Sequence, residues 1–323
     1  MSGSRSRRAA GASTALGLVL LAATTAFVLR TLASEWGRVR DAVVDASIGW
    51  LAVGLVGAVL AMTTIAWSWA DVLVVLGAKV DRVRVVAWYY VGELGKYLPG
   101  GVWPVVGRGE MARRGGVGRS RAYASVALSL ATLYLAAALV AVVLLPFSLA
   151  GGGRLGAEAL FLLLLPLGVA VLHPRVLEPL LKLGRRVSRR QLPVEIPRWG
   201  ASVGVVLRYV PAWLFVGGAT WAVARAVSPD APVARIAFAA VLSWIAGFAA
   251  VPVPAGAGVR EAVFIAASGL PGGVAATVAV ATRVLFILAD GGGAALAGPV
   301  LRHRRRPDAV VAVEPATVEP PRG

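Results

Sequence analysis

The sequence predicts an all-α fold, a polytopic membrane helical bundle of about six full spans plus two re-entrant or broken helical hairpins, with the hairpins related as an inverted repeat. Three observations carry that expectation. The 323 residues are 58% hydrophobic and 15% charged, with a mean hydropathy of +0.76, more apolar than a soluble core requires. The apolar residues gather in runs near the roughly 20 residues that a helix needs to cross a bilayer. Two stretches broken by glycine and proline, GELGKYLPGGVWPVVGR from Gly92 to Arg108 and VPVPAGAGVREAVF from Val251 to Phe264, put charged side chains inside this apolar frame.

Taken in order, residues 1–13 form a basic cytoplasmic N-terminus and residues 14–301 an integral membrane domain. Its spans are expected at Thr14 to Leu29, Trp50 to Leu76, Ala122 to Leu145, Ala157 to Leu172, Ala201 to Val227 and Gly273 to Leu301. The first follows Arg5, Arg7 and Arg8 as a signal peptide would. Arg30 interrupts the run before the weak small-x-small site Thr31-Leu32-Ala33, so a retained span is expected. Within His173 to Gly200, apolar and basic residues separate to two sides of a helical wheel, a pattern suited to the membrane interface as well as to an ordinary basic loop. Residues 302–323, rich in proline and charge, are expected to be a disordered cytoplasmic tail.

Basic clusters at Arg5 to Arg8, Lys79 to Arg84, Arg113 to Arg121, Arg175 to Arg198 and Arg302 to Arg306 alternate with connections poor in lysine and arginine. The positive-inside rule then puts both termini in the cytoplasm of a plasma-membrane protein. The formal charge of +17 is therefore mainly a topology signal. Nucleic-acid binding is not expected, because no stacking or recognition-helix pattern accompanies the charge. The chain has no cysteine, and His173 and His303 lack partners at ligand spacing, so neither a disulfide framework nor a metal site is expected. GRGEMARRGGVGRS fails the phosphate-loop pattern. No cofactor is implied.

Parity of charge makes hairpins of the two broken stretches. Val85 to Val106 has basic loops on both sides, so it enters and leaves by the cytoplasmic face, with arms at about Val86 to Leu98 and Val102 to Val106 and a turn at Pro99, Gly100 and Gly101. The second descends from the other face over Ala234 to Ala250, breaks around Pro254, Gly256 and Gly258, and returns over Val259 to Ser268. Broken elements entering from opposite faces place helix ends at a midplane site. Proline-kinked full spans are the alternative.

Intramembrane charge marks the candidate substrate-binding residues. Glu93 and Lys96, three apart, are expected to neutralise each other, with the Tyr97 hydroxyl at the same level. Arg260 at the start of a returning helix suits a phosphate, and Glu261 partners it or meets a cationic head group. Arg283 and Asp290, two turns apart in the last apolar run, are second-tier candidates for the pathway or for packing. Gly293, Ala294, Ala297 and Gly298 have small-xxx-small spacing.

GELGKYLPGGVWPVVGR, the basic MARRGGVGRSRA after it, and PVPAGAGVREAVF before a span carrying Arg283 and Asp290 together resemble the flippase-like membrane domain of lysylphosphatidylglycerol synthases. The family includes stand-alone bacterial proteins and archaeal membrane modules fused to glycosyltransferases. The resemblance runs from the first span to Pro299. It implies a lipid translocase that moves a phospholipid, aminoacylated or not, or a related amphiphile between leaflets. The chain lacks the aminoacyl-transferase domain of the full synthases, so enzymatic lipid aminoacylation is not expected. Membrane phospholipids are the implied partners, together with a lipid-modifying or glycosyltransferase enzyme. The alternatives are a membrane accessory of such a glycosyltransferase, without transport, and a membrane-embedded enzyme acting on lipid head groups.

Overall fold

The computed structural model describes residues 46–98, 102–150, 199–249, 256 and 258–303. Among them are eight α-helices and no strand. The helices are α1 (Ile48–Val75), α2 (Arg82–Glu93), α3 (Trp103–Arg114), α4 (Arg119–Ala150), α5 (Trp199–Val227), α6 (Val233–Ala249), α7 (Val259–Ser268) and α8 (Gly272–His303). Four of them, α1, α4, α5 and α8, are long and apolar enough to cross a membrane. They coincide with the expected spans at Trp50, Ala122, Ala201 and Gly273. The expected spans Thr14 to Leu29 and Ala157 to Leu172, the segment His173 to Arg198, and the tail lie outside the described residues.

The long helices pack through small residues and a few internal polar contacts. α1 and α5 run closely antiparallel, and a Cβ on Gly57 would come within 3.0 Å of Ala219 Cβ. Ser47 N–H donates to Ala226 O at one end of this pair (3.3 Å), while Asp71, nearly buried near the other, ion-pairs with Arg82 (2.7 Å) and Arg208 (2.9 Å). α4 is fastened to them by Trp69 Nε1 donating to Ser125 Oγ (3.1 Å), by the pair of hydroxyls Ser129 and Tyr209 (2.8 Å), and by Trp213 Nε1 donating to Leu133 O (2.8 Å). Between helices in lipid no hydrophobic force acts, so close backbone approach and such hydrogen bonds supply the association.

The two broken stretches are helical hairpins. α2 ends in a 3-10 turn at Leu94–Tyr97, and α3 returns antiparallel to it. The arms meet where side chains are smallest: a Cβ on Gly92 would lie 2.7 Å from Arg108 Cγ, and one on Gly95 would lie 2.8 Å from the Trp103 carbonyl carbon. The second arm extends to Arg114, well past the expected Val106. α2 and α3 have 12 residues each, about 18 Å of helix, too short for a hydrocarbon core of about 30 Å. α6 and α7, of 17 and 10 residues, form the second hairpin. Arg235 Nε donates to Ala267 O (3.4 Å) at its base, and Gly247 faces Gly256 near its tip. The turn residues Pro99, Gly100, Gly101 and Pro254 lie outside the described residues. Gly256 (φ 65°) and Gly258 (φ 82°) take left-handed backbone that side chains disfavour, which explains the glycines of this turn.

The hairpins come from opposite ends of the bundle. The first opens beside the connection where Arg121 donates to Gly77 O (3.3 Å). The base of the second lies at the other end, where Trp221 Nε1 reaches Ala231 O (3.0 Å). α8 runs past both.

Candidate functional site

The tips of the hairpins converge on one cavity of about 170 Å³, far more than a single water requires. Glu93, Lys96, Pro104, Val105 and Arg108 of the first hairpin and Trp244, Gly247, Phe248, Gly256 and Arg260 of the second line it. Ile65, Leu130, Leu133, Tyr134 and Trp213, from the long helices, complete the wall with Tyr89. The aromatics interlock: Tyr134 stacks on Phe248 (centroids 3.9 Å apart), and Trp244 meets Trp213 and Phe286 edge-on at 6.0 and 5.1 Å. The wall thus pairs apolar, largely aromatic surface with charged side chains.

Both expected local ion pairs are replaced by long-range ones. Lys96 Nζ pairs with Asp290 Oδ2 at 2.7 Å, not with Glu93, and the Tyr97 hydroxyl donates to the same oxygen at 2.6 Å. Asp290 has no exposed surface, so an unpaired carboxylate there is costlier than one at the cavity wall, and the cation goes to it. Glu261 pairs with Arg283 Nη1 at 2.7 Å, not with Arg260, and its second oxygen accepts the Gly258 N–H at 2.6 Å, capping α7. Consecutive residues on a helix do not face each other, which is why Arg260 and Glu261 part. Arg283 and Asp290, the second-tier candidates, therefore anchor one hairpin each to α8. Gly293 has its small-residue role against the Tyr90 ring.

What faces the cavity is the remainder of this pairing. The Arg260 guanidinium lies 3.8 Å from the Trp244 ring centroid, and no carboxylate pairs with it among the described residues. Its stem crosses Gly247, where a Cβ would meet Arg260 Cδ at 2.7 Å. Arg108, 1% exposed, sits between the rings of Tyr89 (5.4 Å) and Trp69 (5.8 Å) and donates to Pro104 O at 3.4 Å. It too lacks a carboxylate partner among the described residues. Reading the sequence missed Arg108 as a site residue. Its signal was its place at the end of the first broken stretch, but a basic residue beside MARR reads as part of the cytoplasmic cluster until the hairpin is folded. Glu93 Oε2 is buried without a hydrogen-bond partner. Lys96, Arg108 and Arg260 thus stand at the wall with Glu93 as its carboxylate.

No cluster of histidine, cysteine or carboxylates able to hold a metal occurs among the described residues. No curated protein matches the chain. The family model described as the lysylphosphatidylglycerol synthase TM region matches residues 14–298, a range that takes in both hairpins, the cavity, α1, α4, α5 and α8 as far as residue 298. The chain belongs to the lysylphosphatidylglycerol synthase transmembrane-region family, whose name points to a role in membrane-lipid handling.

Proposed function

We propose that the protein is a lipid translocase of the plasma membrane, with both termini cytoplasmic, that moves an anionic phospholipid, aminoacylated or not, between leaflets. The observation that carries the reading is the convergence of two hairpins from opposite ends of the bundle on one aromatic-walled cavity with an excess of cations. A head group crossing the bilayer needs a polar station near the midplane. Arg108 and Arg260, free of carboxylate partners among the described residues, suit a phosphodiester, since guanidinium presents several donors to its oxygens. Glu93, with its unpartnered oxygen, suits an ammonium group on the same head group. Lys96, also at the wall, is already tied to Asp290. The acyl chains remain in the bilayer, and a partner enzyme supplies the lipid.

The test is leaflet exchange of head-group-labelled phosphatidylglycerol and its lysylated derivative in proteoliposomes. The unmodified chain should accelerate exchange over empty vesicles. Arg260→Gln and Arg108→Gln should slow both lipids about tenfold or more, as loss of a charge-assisted contact implies. Glu93→Gln should slow the lysylated lipid selectively. Absence of exchange from folded, inserted protein defeats the translocase reading and favours an accessory of a lipid or cell-envelope glycosyltransferase.

A further inference from the structure

Arg260 also borders a second and much smaller cavity of about 20 Å³, together with Glu261, Phe264, Thr282 and Arg283. Two buried polar atoms on these residues have no hydrogen-bond partner: Arg283 Nη2 and Thr282 Oγ1. Thr282 is 6% exposed, and the Arg283 side chain 15%. The nearby carboxylate is already in use, since Glu261 Oε1 takes the other Arg283 nitrogen (2.7 Å) and Oε2 takes the Gly258 N–H (2.6 Å). Arg260 and Arg283 therefore border the space together with one carboxylate, Glu261.

Unmatched donors beside excess positive charge require an acceptor. A water accepts such bonds but is neutral, and leaves two arginines beside one carboxylate. A monatomic anion accepts from every side and offsets the local excess of positive charge. The volume suits one particle of about that size. From this geometry we infer a halide-sized anion site between α7 and α8, held by Arg283 Nη2 and Thr282 Oγ1, with Arg260 bordering both this site and the main cavity. The site does not rest on the lipid reading, and its occupancy is measured without any lipid transport.

The test uses the purified full chain in detergent, with thermal unfolding followed as chloride or bromide replaces gluconate at constant ionic strength. Expected is a saturable rise in Tm with either halide. Thr282→Val, nearly isosteric, should raise the half-saturating bromide concentration about tenfold, the share of one hydrogen bond to a charged group. Arg108→Gln, which removes a cation of the main cavity that does not border this one, should leave the half-saturating halide concentration unchanged whatever it does to the baseline Tm. Equal Tm in all three salts, an unaltered response in Thr282→Val, or loss of the response in Arg108→Gln overturns the assignment; the last places the anion in the main cavity. Should Thr282→Val not fold, crystals of the unmodified protein soaked in bromide decide the matter. An anomalous peak beside Arg283 Nη2 supports the site, and its absence, as for a water, overturns it.

Discussion

Lys96 and Asp290 show how one buried charge organises others around it. Asp290 is fully buried, and both Lys96 and Tyr97 are directed to its Oδ2. Removing one partner of a buried pair leaves an uncompensated charge, at a cost of about 3–5 kcal/mol, whereas removing both is often close to neutral. Lys96→Met and Asp290→Asn should each lower stability by that order, and the double variant should recover most of the loss. Unfolding in mixed micelles, analysed as a double-mutant cycle, measures this; additive losses would show that the pair is not coupled. Lys96, Asp290, Glu261 and Arg283 were all legible in the sequence as candidates, but their pairing was not. Lys96 and Asp290 are far apart along the chain, and nothing in their local spacing favours that pairing over Glu93 with Lys96. Arg108 escaped notice for the same reason. Its burial between two aromatic rings exists only once α3 folds back on α2.

At the scale of the elements, glycine decides where the hairpin arms touch. Gly256 combines a positive φ of 65° with close approach, since an added Cβ would lie 2.7 Å from Gly247 Cα and 2.9 Å from its carbonyl oxygen. Gly256→Ala should therefore cost about 1–3 kcal/mol through strained backbone and overpacking. It should also dislodge Arg260, whose side chain passes the same contact. Gly218→Ala is the matched control. Gly218 lies inside α5, with nothing within 4 Å of an added Cβ, so alanine there should be neutral or stabilise by up to about 1 kcal/mol. A Tm lowered by Gly256→Ala and unchanged or raised by Gly218→Ala is the expected outcome, and equal effects would count against the hairpin contact. The breaks themselves were readable as Gly and Pro clusters. The extent of α3 was not, because Gly107, Gly109 and the charges after them lower its apolar signal although tertiary contact keeps it helical.

Across the whole molecule, the order of the elements implies which ends share a membrane face. Asp230, exposed between α5 and α6, and Arg119, exposed at the start of α4, lie at opposite ends of the bundle. Because the chain has no cysteine, Asp230→Cys and Arg119→Cys each supply a unique label site. In intact cells a membrane-impermeant maleimide should modify Asp230→Cys from outside and leave Arg119→Cys unmodified until the membrane is opened. The reverse pattern inverts the proposed orientation. By itself the sequence determined the fold class, the four long spans that the structure describes and the position of both breaks. Those properties follow from hydropathy, charge parity and backbone chemistry, which act over a few turns of chain. The tertiary structure alone decided that both hairpin tips reach one cavity, that α8 takes Lys96 and Glu261 as partners, and that Arg108 and Arg260 are left facing the space between. Charges in a low-dielectric interior choose partners by distance and burial across the whole bundle, and neither quantity exists until distant segments are brought together.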